Sequence, residues 1–114
     1  MVSGKERDAL LTQMRRGALE HLILALLGRE ERYAPELVKA LAKQDGLLTS
    51  EGTIYPLLSR LRREGLVDTT WQESASGPPR RYYRLTVQGE RRLDEFKREW
   101  RRFVAAVDEI LEDR

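Results

Sequence analysis

The side chains best equipped for chemistry are arginines and hydroxyls, gathered in two places. The first is Thr49-Ser50-Glu51-Gly52-Thr53-Ile54-Tyr55-Pro56-Leu57-Leu58-Ser59-Arg60-Leu61-Arg62-Arg63-Glu64-Gly65-Leu66-Val67. Ile54, Leu57, Leu58 and Leu61 are spaced i, i+3, i+4, i+7, one apolar stripe of a helix. Thr53, Pro56, Ser59, Arg60 and Arg63 fall on a polar and basic face, with Tyr55 beside them and Ser50 at the helix start. Arginine can take guanine bidentately, and hydroxyls can bond phosphates or bases. The chemistry implied is recognition of duplex DNA from the major groove. The second place is Arg80-Arg81. An ordinary amphipathic helix with solvated arginines has the same pattern, so the elements around it must decide.

Catalysis is not provided for. There is no cysteine, and His21 is the one histidine. Nothing completes a metal site or a nucleophile–base pair, and Glu51-Gly52 is not followed by the Gly-Lys-Ser/Thr of a phosphate loop. The expectation is a non-enzyme with no cofactor and no metal. The 114 residues fit one domain whose small core gains from oligomerisation. No apolar run approaches the roughly 18 residues of a membrane span, and the charged first ten residues do not read as a signal peptide. A cytoplasmic protein without a membrane partner is expected. Net charge is only +2, but residues 1–85 carry 14 Lys/Arg against 11 Asp/Glu while residues 86–114 carry 7 against 8. The excess of cations therefore lies with the arginine-bearing helix, where a local patch can attract phosphates.

The elements that would position these residues follow from pattern. Ser3-Gly4-Lys5-Glu6 has capping-box spacing and opens a long helical pattern through Leu10, Leu11, Met14, Ala18, Leu19, Leu22, Ile23, Leu26 and Leu27, with Gly28 as its end. Arg15 and Arg16 interrupt it, either solvated or reaching a DNA backbone. Arg29–Arg32 reads as a charged turn. Tyr33-Ala34-Pro35 starts a second helix, with Pro35 in the first turn and Leu37, Val38 and Leu41 inward. Gln44-Asp45-Gly46 closes it. The arginine-bearing helix follows, capped by Thr49 or Ser50 and ended by Gly65. Together the two make a helix-turn-helix.

After Gly65 the period becomes 2. Leu66–Trp71 reads as a strand, Gln72–Pro79 as turn chemistry, and Arg80–Leu85 as the returning strand. Such a hairpin is a wing, which would bring Arg80 and Arg81 beside the recognition helix. Tyr82 and Tyr83 would split between faces, one against Trp71 or the core and the other near phosphate.

Thr86 caps a last helix of roughly 27 residues, about 40 Å long. Leu93, Phe96, Trp100, Phe103, Val107 and Ile110 are spaced 3, 4, 3, 4 and 3, a heptad seam widened by Val104 and Leu111. That is more apolar surface than a small domain covers, so a homodimer is expected. The fold class is α+β, mostly α: a winged helix-turn-helix over 1–85 and a dimerisation helix over 86–114, forming one compact unit. The competing reading is a winged helix used for protein–protein contact without DNA affinity.

The chain resembles the PadR family of bacterial transcriptional regulators. The blocks that carry the likeness are Arg16-Gly17-Ala18-Leu19-Glu20, Ser50–Leu61, Glu64-Gly65-Leu66-Val67, Gly77–Thr86 and Gly89. The single C-terminal helix resembles the smaller subfamily. The resemblance implies a homodimeric winged helix on an inverted-repeat operator, usually as a repressor. Some members are released from DNA by phenolic acids or flat aromatic drugs, and in drug-binding relatives a tryptophan matching Trp100 walls a pore at the dimer interface. Phe96, Trp100 and Phe103 are thus candidate effector contacts. One departure is Tyr33-Ala34-Pro35, where the family more often has a Tyr-Gly-Tyr-like stretch. Pro35 removes a donor and an aromatic contact there.

Overall fold

The computed structural model describes residues 3–45, 47 and 51–112. Helices α1 (Gly4–Arg15), α2 (Leu19–Arg29), α3 (Ala34–Ala42), α4 (Ile54–Arg63) and α5 (Val87–Leu111) surround a small sheet of β1 (Arg32–Tyr33), β2 (Val67–Ser74) and β3 (Gly77–Leu85). The sheet is antiparallel, in the order β1-β3-β2. The core is Leu19, Ile23, Leu24 and Leu27 of α2, Leu37 and Leu41 of α3, and Ile54, Leu58 and Leu61 of α4, closed by Leu66, Val67 and Leu93. Leu57 stays half-buried at the edge of its stripe. This is a winged helix-turn-helix with a C-terminal helix.

Four sequence expectations are corrected. The long first pattern is two helices, broken at Arg16-Gly17-Ala18, where Gly17 takes φ +85°. Such a backbone strongly favours glycine, and apolar periodicity does not register it. Gly28 does not end α2, which runs on to Arg29. Instead, Gly28 lies against the side chains of Leu85 and Leu93. Arg32 is not turn but strand, paired with Tyr83 of β3, and Tyr33, which caps α3 as expected, extends that strand opposite Tyr82. Finally, the hairpin joint is only Ala75-Ser76. Pro78 and Pro79 lie within β3 and are tolerated because the β2–β3 ladder is irregular between Gln72 and Ser74 and β1 does not reach that far.

The recognition helix opens through a 3-10 turn, Glu51–Thr53. The caps expected at Thr49 and Ser50 lie outside the described residues, as do the Ser50 DNA contact and Gly46. Pro56 sits in the first turn of α4, where its N–H would have no helical partner. The end of α4 is a Schellman motif: Gly65 at φ +76°, Leu66 N–H donating to Leu61 C=O at 3.0 Å and Gly65 N–H to Arg62 C=O at 3.1 Å. That turn feeds directly into β2, so the orientation of α4 and the start of the wing are set together.

Thr86 joins α5 to this turn. Its N–H donates to Leu66 C=O at 3.1 Å, its Oγ1 donates to Gly65 C=O at 2.7 Å and accepts from Gly89 N–H at 3.0 Å. The first turns of α5 are thereby held against the end of α4. Beyond Phe96 the helix stands clear of the core. The radius of gyration, 16.3 Å, exceeds the roughly 13 Å of a compact chain this long. Helix α1 buries no residue and is tied down by Arg7 Nη2 to Asp45 Oδ2 at 2.7 Å.

Candidate nucleic-acid interface

Burial of Ile54, Leu58 and Leu61 fixes the rotation of α4. Opposite them, at 100° per residue, Pro56, Ser59 and Arg63 form the outermost ridge, all exposed. Tyr55 borders one flank, 52% exposed. Thr53, Leu57 and Arg60 border the other, facing the α1–α2 joint. Arg60 does not project freely as its place in the sequence suggested. Its Nη2 donates to Glu20 on α2, and its Nε lies 3.9 Å from Glu64.

Register fixes the wing. Leu85 and Tyr83 pack toward the core, so Arg81 and its cross-strand partner Trp71 continue the core-side face of the sheet past the point where the core ends. Trp71 is 63% exposed, with the Arg81 guanidinium 4.9 Å above its ring. On the opposite face the Arg80 guanidinium lies 4.8 Å from the Tyr33 ring, and Tyr33 and Tyr82 rings are 5.4 Å apart. The arginines therefore point to opposite faces, and each is held by an aromatic ring. Of the two tyrosines, Tyr83 goes to the core and Tyr82 to Tyr33; Trp71 is covered by an arginine, not by a tyrosine. Arg84 is engaged too, its Nε 2.5 Å from Asp68 Oδ1. That hydrogen bond first, and the carboxylate charge second, raise its pKa.

A second surface lies at the other end. His21 stacks on Phe96 with centroids 4.3 Å apart, and its Nδ1 donates to Gly17 C=O at 2.8 Å. Phe96 stacks on Trp100 at 5.6 Å, and Phe103 follows at 6.2 Å. Phe96, Trp100 and Phe103, with Met14, Val104 and Val107, line a groove of about 720 Å³ between the end of α1 and α5. Leu93 belongs to the chain's own core. The open part of the seam therefore begins at Phe96, with Phe103 62%, Ile110 85% and Leu111 73% exposed.

The profile of the transcriptional regulator PadR-like family matches residues 23–95. The chain belongs to this PadR-like family of transcriptional regulators. A PadR-like regulator of Bacillus cereus is 40% identical, over 90% of this chain and 99% of its own, with a TM-score of 0.81. A PadR family regulator of Eggerthella lenta is 38% identical, over 93% and 92%, also with a TM-score of 0.81. A Lysinibacillus sphaericus protein is 27% identical over 99 residues, 85% of this chain and 91% of its own.

This PadR-like chain is thus a DNA-binding transcriptional regulator and not an enzyme. An interaction module without DNA affinity does not fit that family. Among the described residues no helix is long and apolar enough to cross a membrane. Three residues of the first surface are not legible as site residues in the sequence. Glu20 has its only signal in the Arg16–Glu20 block, Tyr33 reads as a helix start and Trp71 as a strand residue. Each matters through a partner distant in sequence, which spacing alone cannot show.

Proposed function

We propose that this PadR-like regulator binds an inverted-repeat operator as a homodimer and represses by occupying a promoter. The observation that carries the reading is the exposed apolar seam of α5 beyond Phe96, on a helix whose start Thr86 bonds to the end of the recognition helix. A second copy on that seam sets the spacing of two α4 helices, which then enter successive major grooves about 34 Å apart. Ser59, Pro56 and Arg63 present the ridge, Tyr55, Thr53 and Arg60 its flanks, and of the wing arginines, which point to opposite faces, Arg80 meets the backbone while Arg81 stays over Trp71. Selection of fragments from the source genome, followed by footprinting, tests this. Pseudo-palindromic sites about one helical turn between half-site centres are expected; protection of single, unrepeated sites by a monomer sinks the reading.

Within that footprint Arg63→Ala is expected to weaken specific binding by about 1–3 kcal/mol if the guanidinium takes a base. Arg80→Ala should weaken all sequences alike and reduce the salt slope by about one. Operator affinity that is unchanged in an Arg60→Ala/Arg63→Ala double variant removes α4 as the reading helix.

The groove along Phe96, Trp100 and Phe103 favours a further element of the reading: release by a planar aromatic effector. In a Trp71→Phe variant, Trp100 is the one remaining tryptophan, since the chain has two. A saturable fluorescence quench by planar aromatic compounds, with parallel loss of operator binding, is expected. No quench across a broad panel, together with a stability loss of about 3–5 kcal/mol in Trp100→Ala, makes Trp100 a packed seam residue instead.

A further inference from the structure

Arg60 sits on the flank of α4 that faces α2, seven residues from Thr53 and four from Glu64. Its side chain is 47% exposed, whereas that of its partner Glu20 is 19% exposed. The carboxylate is therefore the fixed member and the guanidinium the adjustable one. Glu20 stands in the first turn of α2, where a negative charge is favoured by the helix dipole. Its neighbours Leu19 and Ile23 are buried, so its backbone has little freedom. The pair lies in a groove of about 470 Å³ bordered by Arg15, Arg16, Thr53 and Leu57. Two acids meet one side of the guanidinium: Glu20 at Nη2 and, more loosely, Glu64 at 3.9 Å from Nε. A guanidinium has five donors in a planar fork, so the donors on its Nη1 side are not taken by these two acids.

We propose that Glu20 is a positioning residue for sequence readout, holding the Arg60 guanidinium in one plane at the edge of the recognition ridge so that its outward donors meet a single base or phosphate. This rests on the reading of α4 as the recognition helix. A free arginine must lose its rotamer freedom when it meets DNA, and a carboxylate behind it removes that loss beforehand. The pair also links the reading face to α2, whose next residue, His21, stacks on Phe96 of the dimer seam.

The test compares the operator fragment with a scrambled duplex of the same length and composition. In Glu20→Gln the preference for the operator is expected to fall about tenfold, within the range for one immobilised long side chain, while affinity for the scrambled duplex does not fall. Glu20→Asp, which keeps the charge but shortens the reach, should give an intermediate preference. Adding Glu20→Gln to Arg60→Ala should cost nothing more, because the two act as a unit. Melting midpoints of Glu20→Gln within a few degrees of wild type keep the readout separate from folding. Three results overturn the inference: an undiminished preference in Glu20→Gln, losses that add with Arg60→Ala, or equal weakening on both duplexes with a lowered melting midpoint. If the wild type itself shows no preference for the operator, it is the recognition-helix reading that fails. A preference lost in Arg60→Ala but kept in Glu20→Gln leaves that reading intact and removes only the role of Glu20.

Discussion

Gly89→Ala is expected to destabilise the chain by about 3 kcal/mol, at the upper end of what overpacking costs. A methyl at this position would lie 2.1 Å from the carbonyl oxygen of Leu66 and 2.5 Å from Leu85 Cδ1. The leucine side chain can turn, but the carbonyl cannot, because it accepts the Thr86 N–H at 3.1 Å. The first turn of α5 must lift off, loosening the Thr86 bonds that seat it on the end of α4. With a total stability of about 5–15 kcal/mol for such domains, the melting midpoint should fall by roughly 10–20 °C. Thermal melts followed by circular dichroism check this. Gly28→Ala is the control: its methyl meets Leu85 and Leu93 at 3.5 Å, ordinary contact, and the gain in helix propensity over glycine is up to about 1 kcal/mol. Equal midpoints for wild type and Gly89→Ala would mean that α5 is not seated as described.

If the chain dimerises through α5 as proposed, Phe103→Asp is expected to yield a monomer and to lower operator affinity by a factor of about 10²–10⁴. The side chain is 62% exposed in the isolated chain, so the monomer loses little by the change. In a dimer it would place a carboxylate between Trp100, Val107 and their mates, which is costly without a partner charge. Stable interfaces bury about 1,200–2,000 Å², and the open seam from Phe96 to Leu111, with Leu10 and Met14 of α1, is the exposed apolar surface suited to supply it. The loss in affinity follows from effective concentration: a second half-site is engaged within the same complex only when the recognition helices are joined. Sedimentation velocity and operator titration read both effects. A Phe103→Asp protein that still sediments as a dimer and binds the operator as tightly as wild type excludes this seam. Arg101→Asp, a comparable change at an exposed position off the seam, should leave the oligomeric state alone.

Much of this chain is determined by local sequence. The stripe Ile54–Leu61 fixes which face of α4 is buried, since a 3.6-residue period leaves one way to cover four apolar side chains. Gly65 marks the helix end, because a Schellman turn needs a left-handed residue there. Thr86 declares the start of α5, and the 3-4 spacing from Leu93 to Ile110 puts its apolar residues on one stripe, of which Leu93 is taken by the chain's own core. All of these are properties of residues close in sequence. The tertiary structure alone decided the rest. The break at Gly17 is invisible to apolar periodicity, because both halves of the pattern remain apolar on either side. β1 is two residues long and exists only because β3 is beside it. The proline-rich start of β3 reads as a turn until pairing with β2 shows an irregularity that needs no donor. Arg60 belongs to the polar and basic face of the helix by its spacing from the leucine stripe. What holds its guanidinium is Glu20, forty residues earlier, and no local pattern relates them. Charge pairs and ring contacts between distant elements depend on where the core places those elements, and the same core burial that sets α4 against α2 brings these two side chains together.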